Sequence, residues 1–191
     1  MRAYAGECQA HTRYLLAAKA AAEQQLHVLR QAFEFTAKQE LIHAQLFAQK
    51  LQQQGVTEIQ LTASYPLDAQ GDLQQILTQA NAHELHEADT VYPAFAEQCA
   101  GEGDMQSAAL FRSIAEIERS HAARFGLLAK LMQSGALFRS GEQTIWMCLN
   151  CGHLHTGTEP PQSCPVCGAV QGFAVREKLA PFTPEQGASP S

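Results

Sequence analysis

Two short stretches hold a carboxylate and an imidazole three residues apart: Glu40-Leu41-Ile42-His43 and Glu118-Arg119-Ser120-His121. On a helix, residues i and i+3 share a face, so each stretch would offer two ligands in one direction. Two such helices facing each other, with one further Glu from each of two more, form a carboxylate-bridged dimetal site in a four-helix bundle. Carboxylate oxygen with imidazole suits iron or manganese, and zinc less well at a bridged pair. Four of the six cysteines form two other pairs, Cys148-x-x-Cys151 and Cys164-x-x-Cys167. Four thiolates in a tetrahedron suit iron or zinc, and the spacing alone leaves both open.

The remaining chain must supply the helices. Between residues 2 and 54 the only Gly is Gly6 and there is no Pro. Ala3, Glu7, Ala10, Tyr14, Ala17 and Ala21 fall on one seam. Phe33, Ala37, Glu40, Ala44, Phe47 and Leu51 fall on another, out of phase with the first. This predicts two helices with a tight turn near residues 23–26, although no Gly or Pro marks it. Residues 55–69 read as a crossover loop, and residues 68–72 offer N-caps for the next helix. A third helix is predicted over 71–100, with seam Leu73, Leu77, Ala80, Glu84, Glu87, Val91 and Ala94 and a kink at Pro93. Residues 101–104 close it and cap a fourth helix. That helix runs to about Ser134 on Phe111, Ile114, Glu118, His121, Phe125, Leu128 and Met132. The fold class is mainly α, with a bundle over 1–134 and a linker over 135–143. A small β/loop domain over 144–180 should depend on its metal, and residues 181–191 read as a flexible tail.

The seams carry the chemical inference. Glu7, Glu40, Glu84, Glu87, Glu118 and His121 occupy core positions, and His43 lies beside Glu40. Burying one ionised carboxylate costs several kcal/mol. Five without cations would exceed the roughly 5–15 kcal/mol by which a domain is stable. Two divalent ions would supply the missing positive charge. The rival reading is a pair of satisfied core histidines, with carboxylates reaching toward the helix ends.

Composition limits the alternatives. Net charge is −6 with no basic cluster, which argues against nucleic acid and anionic membranes as partners. The most apolar stretch, residues 15–22, is short and contains Lys19, so no membrane span is expected. No basic stretch followed by an apolar run opens the chain, so no secretion signal is expected, and a reducing cytoplasm is the expected compartment. Cys8 and Cys99 stand alone and read as small apolar fillers.

Taken together, these motifs resemble rubrerythrin. The resemblance rests on Tyr4-Ala5-Gly6-Glu7-Cys8-Gln9-Ala10, Glu40-x-x-His43, Glu84-x-x-Glu87 followed by Tyr92-Pro93, and Ile114-Ala115-x-x-Glu118-x-x-His121. It continues through Trp146-x-Cys148-x-x-Cys151-Gly152 and Cys164-Pro165-x-Cys167-Gly168, in family order over nearly the whole chain. It implies a ferritin-like di-iron bundle followed by a rubredoxin-like domain, with two iron ions in the first and one in the second. The implied di-iron ligands are Glu7, Glu40, His43, Glu84, Glu87, Glu118 and His121, with Glu40 and Glu118 as bridges. Cys148, Cys151, Cys164 and Cys167 would hold the mononuclear iron. Glu87 and His43 would alternate on one iron, and Tyr14 and Tyr92 match tyrosines close to the cluster. The implied activity is reduction of hydrogen peroxide to water in defence against oxidative stress. Electrons would come from NADH through a separate reductase or rubredoxin-type donor, since the chain has no dinucleotide fingerprint of its own. A head-to-tail homodimer is implied. Two departures stand out: Gln25 where the family commonly has Gly, which raises a swapped first hairpin, and Cys8 where Ser is usual. The other classes are a ferritin-like iron oxidase or store and a non-catalytic zinc-ribbon bundle protein.

Overall fold

The computed structural model describes residues 1–67 and 71–181. Five α-helices form the bundle: α1 (Arg2–Glu23), α2 (His27–Gln53), α3 (Leu73–His86), α4 (Tyr92–Gly101) and α5 (Met105–Gln133). The third rod is α3 and α4 joined end to end, so the architecture is a four-rod bundle. Asp72 caps α3 by accepting from the Gln74 N–H, and Asp104 caps α5 by accepting from the Ser107 N–H. Asp68, the other acidic residue of the expected 68–72 cap segment, lies outside the described residues, as does the expected tail from residue 182 on.

The first hairpin turns without glycine. Gln25 takes the left-handed conformation at φ 58°. The Leu26 N–H then reaches Ala21 O and the Gln25 N–H reaches Ala22 O, each at 2.9 Å. These two bonds make a Schellman cap, usually closed by Gly at this position. The turn lays α1 along α2.

The third rod corrects the sequence reading. The helix over 71–100 is not continuous: residues Glu87–Val91 form a π turn, in which the Tyr92 N–H bonds Glu87 O five residues back. Pro93 follows it and has no N–H to offer Asp89, so the α ladder cannot continue unbroken there. The extra residue turns the apolar seam. Val91 is only half-buried and Ala94 is exposed, whereas Ala88, Tyr92 and Ala96 are buried. A regular seam carried through Pro93 therefore names the wrong positions beyond Glu87.

The C-terminal part is a three-stranded antiparallel sheet in the order β2-β1-β3, with β1 Thr144–Cys148, β2 Leu154–Gly157 and β3 Ala174–Arg176. Trp146 fills its small core at 1% exposure, and its Nε1–H donates to Gly157 O. This part does not hang on a free tether. Leu137, Phe138, Val175 and Ala180 pack into the same apolar cluster as Leu29, Phe33 and Phe125 of the bundle. Phe173 stacks on His27 at 4.0 Å. Gly172 sits so close to the hairpin turn that a Cβ would overlap the Gln25 carbonyl oxygen. Gly172→Ala is therefore expected to lift the sheet from the turn at a cost of about 1–3 kcal/mol. Thermal melting should fall while far-UV helicity is kept, and limited proteolysis should cut newly within residues 134–144. Unchanged melting and digestion would show the contact to be dispensable.

Candidate metal centres

The seams bring six of the predicted ligands to one buried place. Glu7 on α1, Glu40 and His43 on α2, Glu84 on α3, and Glu118 and His121 on α5 are all 4% exposed or less. Their donor atoms form two groups: Glu7, Glu40, His43 and Glu118, and Glu40, Glu84, Glu118 and His121. Glu40 and Glu118 belong to both. Glu118 sets Oε1 3.0 Å from His43 Nδ1 and Oε2 2.7 Å from His121 Nδ1. Glu40 sets Oε2 3.1 Å from His43 Nδ1 and Oε1 2.9 Å from His121 Nδ1. Glu7 and Glu84 stand farther out, each 3.6 Å from one imidazole. Separations of about 3 Å suit neighbouring donors that each lie about 2.1 Å from one ion.

The inner atoms also lack other uses. Glu40 Oε1, Glu84 Oε2, both oxygens of Glu118 and Nδ1 of His121 are buried with no hydrogen-bond partner of adequate geometry. Orphaned polar atoms of this kind are rare and costly in a folded core. Two cations would satisfy them, so the donor set fits a dimetal site.

Phenols tie down the outer carboxylates. Tyr14 donates to Glu84 Oε1, and Tyr92 donates to Glu7 Oε1. Glu87 lies outside both donor groups. It opens the π turn, half-buried, and lines a cavity of about 550 Å³ with Arg13, Tyr65, His83, His86 and Tyr92. Gln9 Nε2 donates to Pro66 O at 2.7 Å and holds the crossover loop beside that cavity.

Electrostatics follow from burial. Burial, then Glu40 and Glu118, pushes Glu84 up to about 8. Burial likewise pushes Glu7 and Glu87 well above the carboxylate range. Burial opposes charge on the imidazoles too, but the surrounding carboxylates outweigh it and raise His43 to about 12 and His121 to about 11. Burial would raise Glu40 as well, but the adjacent His121 and His43 hold it down at about 2. In the metal-free chain, protons thus stand in for cations.

A pH dependence results. Between about pH 6.5 and 8 the folded metal-free chain keeps protons on His43, His121 and Glu84 that the unfolded chain has released. The unfolded state then binds fewer protons, so stability falls as pH rises. The imidazole contribution is fully present below 6.5 and fades toward 11–12. Glu40 acts in the opposite sense only below about pH 4.5, outside this window. Metal-free protein should therefore melt lower at pH 8 than at pH 6.5. Zinc-loaded protein should show the reverse, because the ions displace those protons. Parallel circular-dichroism melts check both signs, and a metal-free chain that gains stability with pH would contradict this charge balance.

The four cysteines make a second centre. Cys148 Sγ lies 3.8 Å from Cys167 Sγ, and Cys151 Sγ lies 3.6 Å from Cys164 Sγ. A tetrahedron with metal–sulfur bonds of about 2.3 Å has edges of about 3.8 Å. Knuckle bonds from Gly152 N–H to Cys148 O and from Gly168 N–H to Cys164 O shape each loop. Asn150 Nδ2 donates to Cys167 Sγ and, with the Ala169 amide, holds that thiol down at about 6. His153 and His155, which follow the first knuckle, are half-buried and stand outside the sulfur cluster.

Against known proteins, residues 1–129 match the rubrerythrin family model, and residues 146–173 match the rubredoxin-like domain of rubrerythrin. The chain belongs to the rubrerythrin family. It is 37% identical to a rubrerythrin of Porphyromonas gingivalis over 173 residues, covering 91% of this chain and 85% of that one. It is 31% identical to nigerythrin of Nitratidesulfovibrio vulgaris over 165 residues, covering 86% and 78%. The structure of nigerythrin in its fully reduced, all-ferrous state superposes with a TM-score of 0.61 at 27% identity, over 92% of this chain and 83% of that one. At the level of the rubrerythrin family, this ties the chain to oxidoreductase chemistry and peroxide metabolism. No helix among the described residues is long and apolar enough to cross a membrane.

Several residues at this rubrerythrin site escaped the sequence reading. Arg13 Nη1 lies 3.1 Å from His83 Nδ1, and its guanidinium covers the Tyr14 ring at 5.2 Å. Gln39 meets His121 from the neighbouring helix. Arg13 could have been found as a charge directly before a seam tyrosine, and Gln39 as an amide directly before a seam glutamate.

Proposed function

We propose that this rubrerythrin is a peroxidase that takes two electrons and two protons to convert hydrogen peroxide into two molecules of water. The carrying observation is that Glu40 and Glu118 each place one oxygen in each donor group, an arrangement that holds two ions side by side. Two iron ions there would supply the electron pair that breaks the O–O bond, and a third iron among the cysteines would return electrons singly. Peroxide enters through the cavity beside the π turn. Glu87 lines it, and its raised proton affinity suits it to carry a proton to the departing oxygen. Its position outside both donor groups supports an alternation of Glu87 and His43 as ligands. Tyr14 and Tyr92 hold Glu84 and Glu7 in place while Glu87 and His43 exchange.

The electron path leads to a second copy. The sheet docks on the hairpin turn, and Glu40 lies thirteen residues beyond His27, the start of α2, roughly 20 Å along the axis. Tunnelling decays exponentially with distance, so a head-to-tail homodimer that sets one copy's cysteines beside the other's carboxylates serves the reaction better. A separate NADH-linked reductase or rubredoxin-type donor in the cytoplasm would refill the cysteine centre.

The test is an anaerobic purification with a metal count, followed by one equivalent of peroxide under a visible spectrometer. About three irons per chain are expected, and in the fully reduced protein peroxide should promptly turn the colourless ferrous cysteine centre to its red ferric form. Zinc at the cysteines, or a reduced cysteine iron that stays colourless after peroxide, would overturn the relay.

A further inference from the structure

The two imidazoles of the carboxylate cluster are not held alike. His121 Nε2–H donates to Gln39 Oε1 at 3.1 Å, which leaves Nδ1 bare toward Glu118 and Glu40. His43 also faces the carboxylates through Nδ1, but no hydrogen bond among the described residues engages its Nε2.

The difference is written in a repeat. The two helices carry Gln39-Glu40-x-x-His43 and Ile117-Glu118-x-x-His121. The residue before the shared glutamate on α2 reaches across to the imidazole of α5. Its counterpart on α5 is Ile117, which has no hydrogen-bonding group. A partner on the outer nitrogen fixes the tautomer and ring direction of a ligating histidine. The Gln39 side is stiffened further: Arg124 Nη1 donates to Oγ1 of buried Thr36 at 2.8 Å, and its guanidinium covers Phe35 at 5.1 Å.

We propose that Gln39 is a positioning residue that makes His121 the fixed imidazole of the pair, while Ile117 leaves His43 free to swing. This rests on the reading of the two donor groups as metal sites, and it explains which histidine can alternate with Glu87. Loss of the Gln39 bond removes a restraint from one ion only, the one shared by Glu84 and His121. Loss of an outer-shell partner of this kind typically weakens a metal site 10–100-fold.

The test uses the full chain, metal-free and then titrated with zinc against a competing chelator. Nitrogen-15 spectra of the imidazoles follow on the loaded protein. Wild type should take two ions in the bundle and show a slowly exchanging His121 Nε2–H. Gln39→Leu should weaken one bundle ion by about 10–100-fold, leave the other unchanged, and expose that proton to exchange. Gln39→Glu, which keeps an acceptor, should restore both readouts. Ile117→Gln should give the His43 Nε2–H the same protection. If Gln39→Leu binds both ions as tightly as wild type, or weakens both equally, the proposal falls and the metal-site reading stands. If wild type takes no ion in the bundle, the metal-site reading fails and the proposal fails with it.

Discussion

Replacing Glu118 with Ala is expected to strip both ions from the bundle together and to cut peroxide turnover by on the order of 10³-fold or more. Glu118 is fully buried and gives one oxygen to each donor group, so its loss opens both at once. Glu7→Ala is the control, because Glu7 belongs to the His43 group alone. That variant should lose one ion preferentially and keep part of the other. Glu118→Ala should still fold when metal-free, since Glu7, Glu40 and Glu84 continue to face the imidazoles. Metal counts and helical circular dichroism on the two variants decide the matter. A Glu118→Ala protein that retains one tightly held ion would show that the carboxylate does not span the pair.

The second large effect concerns Cys164→Ala. A structural ion among four thiolates contributes on the order of 10–16 kcal/mol to a small module of this type. The sheet has one large core side chain of its own, Trp146, and borrows the rest of its apolar contacts from the bundle. Loss of buried Cys164 should therefore unfold residues 144–180 and leave the helices standing. Protease should trim the chain back to about residue 134. Peroxide reduction should vanish with an enzymatic donor and survive with a small chemical reductant that reaches the bundle directly. A trimmed protein that still accepts electrons from the reductase would mean that the cysteine centre is not the entry point.

How much of this could be read from sequence depends on the range of the interaction. Glu7, Glu40, Glu84, Glu118 and His121 were legible because a charge on an apolar seam contradicts the seam, and helical period alone reveals it. The first turn was placed correctly without Gly, since the change of phase between the two seams locates it. The π turn was not legible. Pro93 announces a break in the ladder but not that the preceding segment absorbs one residue, so Tyr92 and Ala96 replaced Val91 and Ala94 in the core. The Gln39 bond depends on how α2 and α5 are rotated about their axes, which no local pattern fixes. The approach of Gly172 to Gln25 joins residues 147 positions apart and leaves only an unremarked glycine in the sequence.

The π turn also has a genetic reading. Five residues do the work of four between Glu87 and Tyr92, the footprint that one added codon leaves in a helix. Such a change leaves the reading frame intact, and Glu84 upstream of it stays in place. It moves everything downstream by about 100° around the axis, turning Tyr92 inward to Glu7 and setting Glu87 at the edge of the cluster. A single added residue is thus enough to change which side chains of the third rod meet the carboxylate cluster.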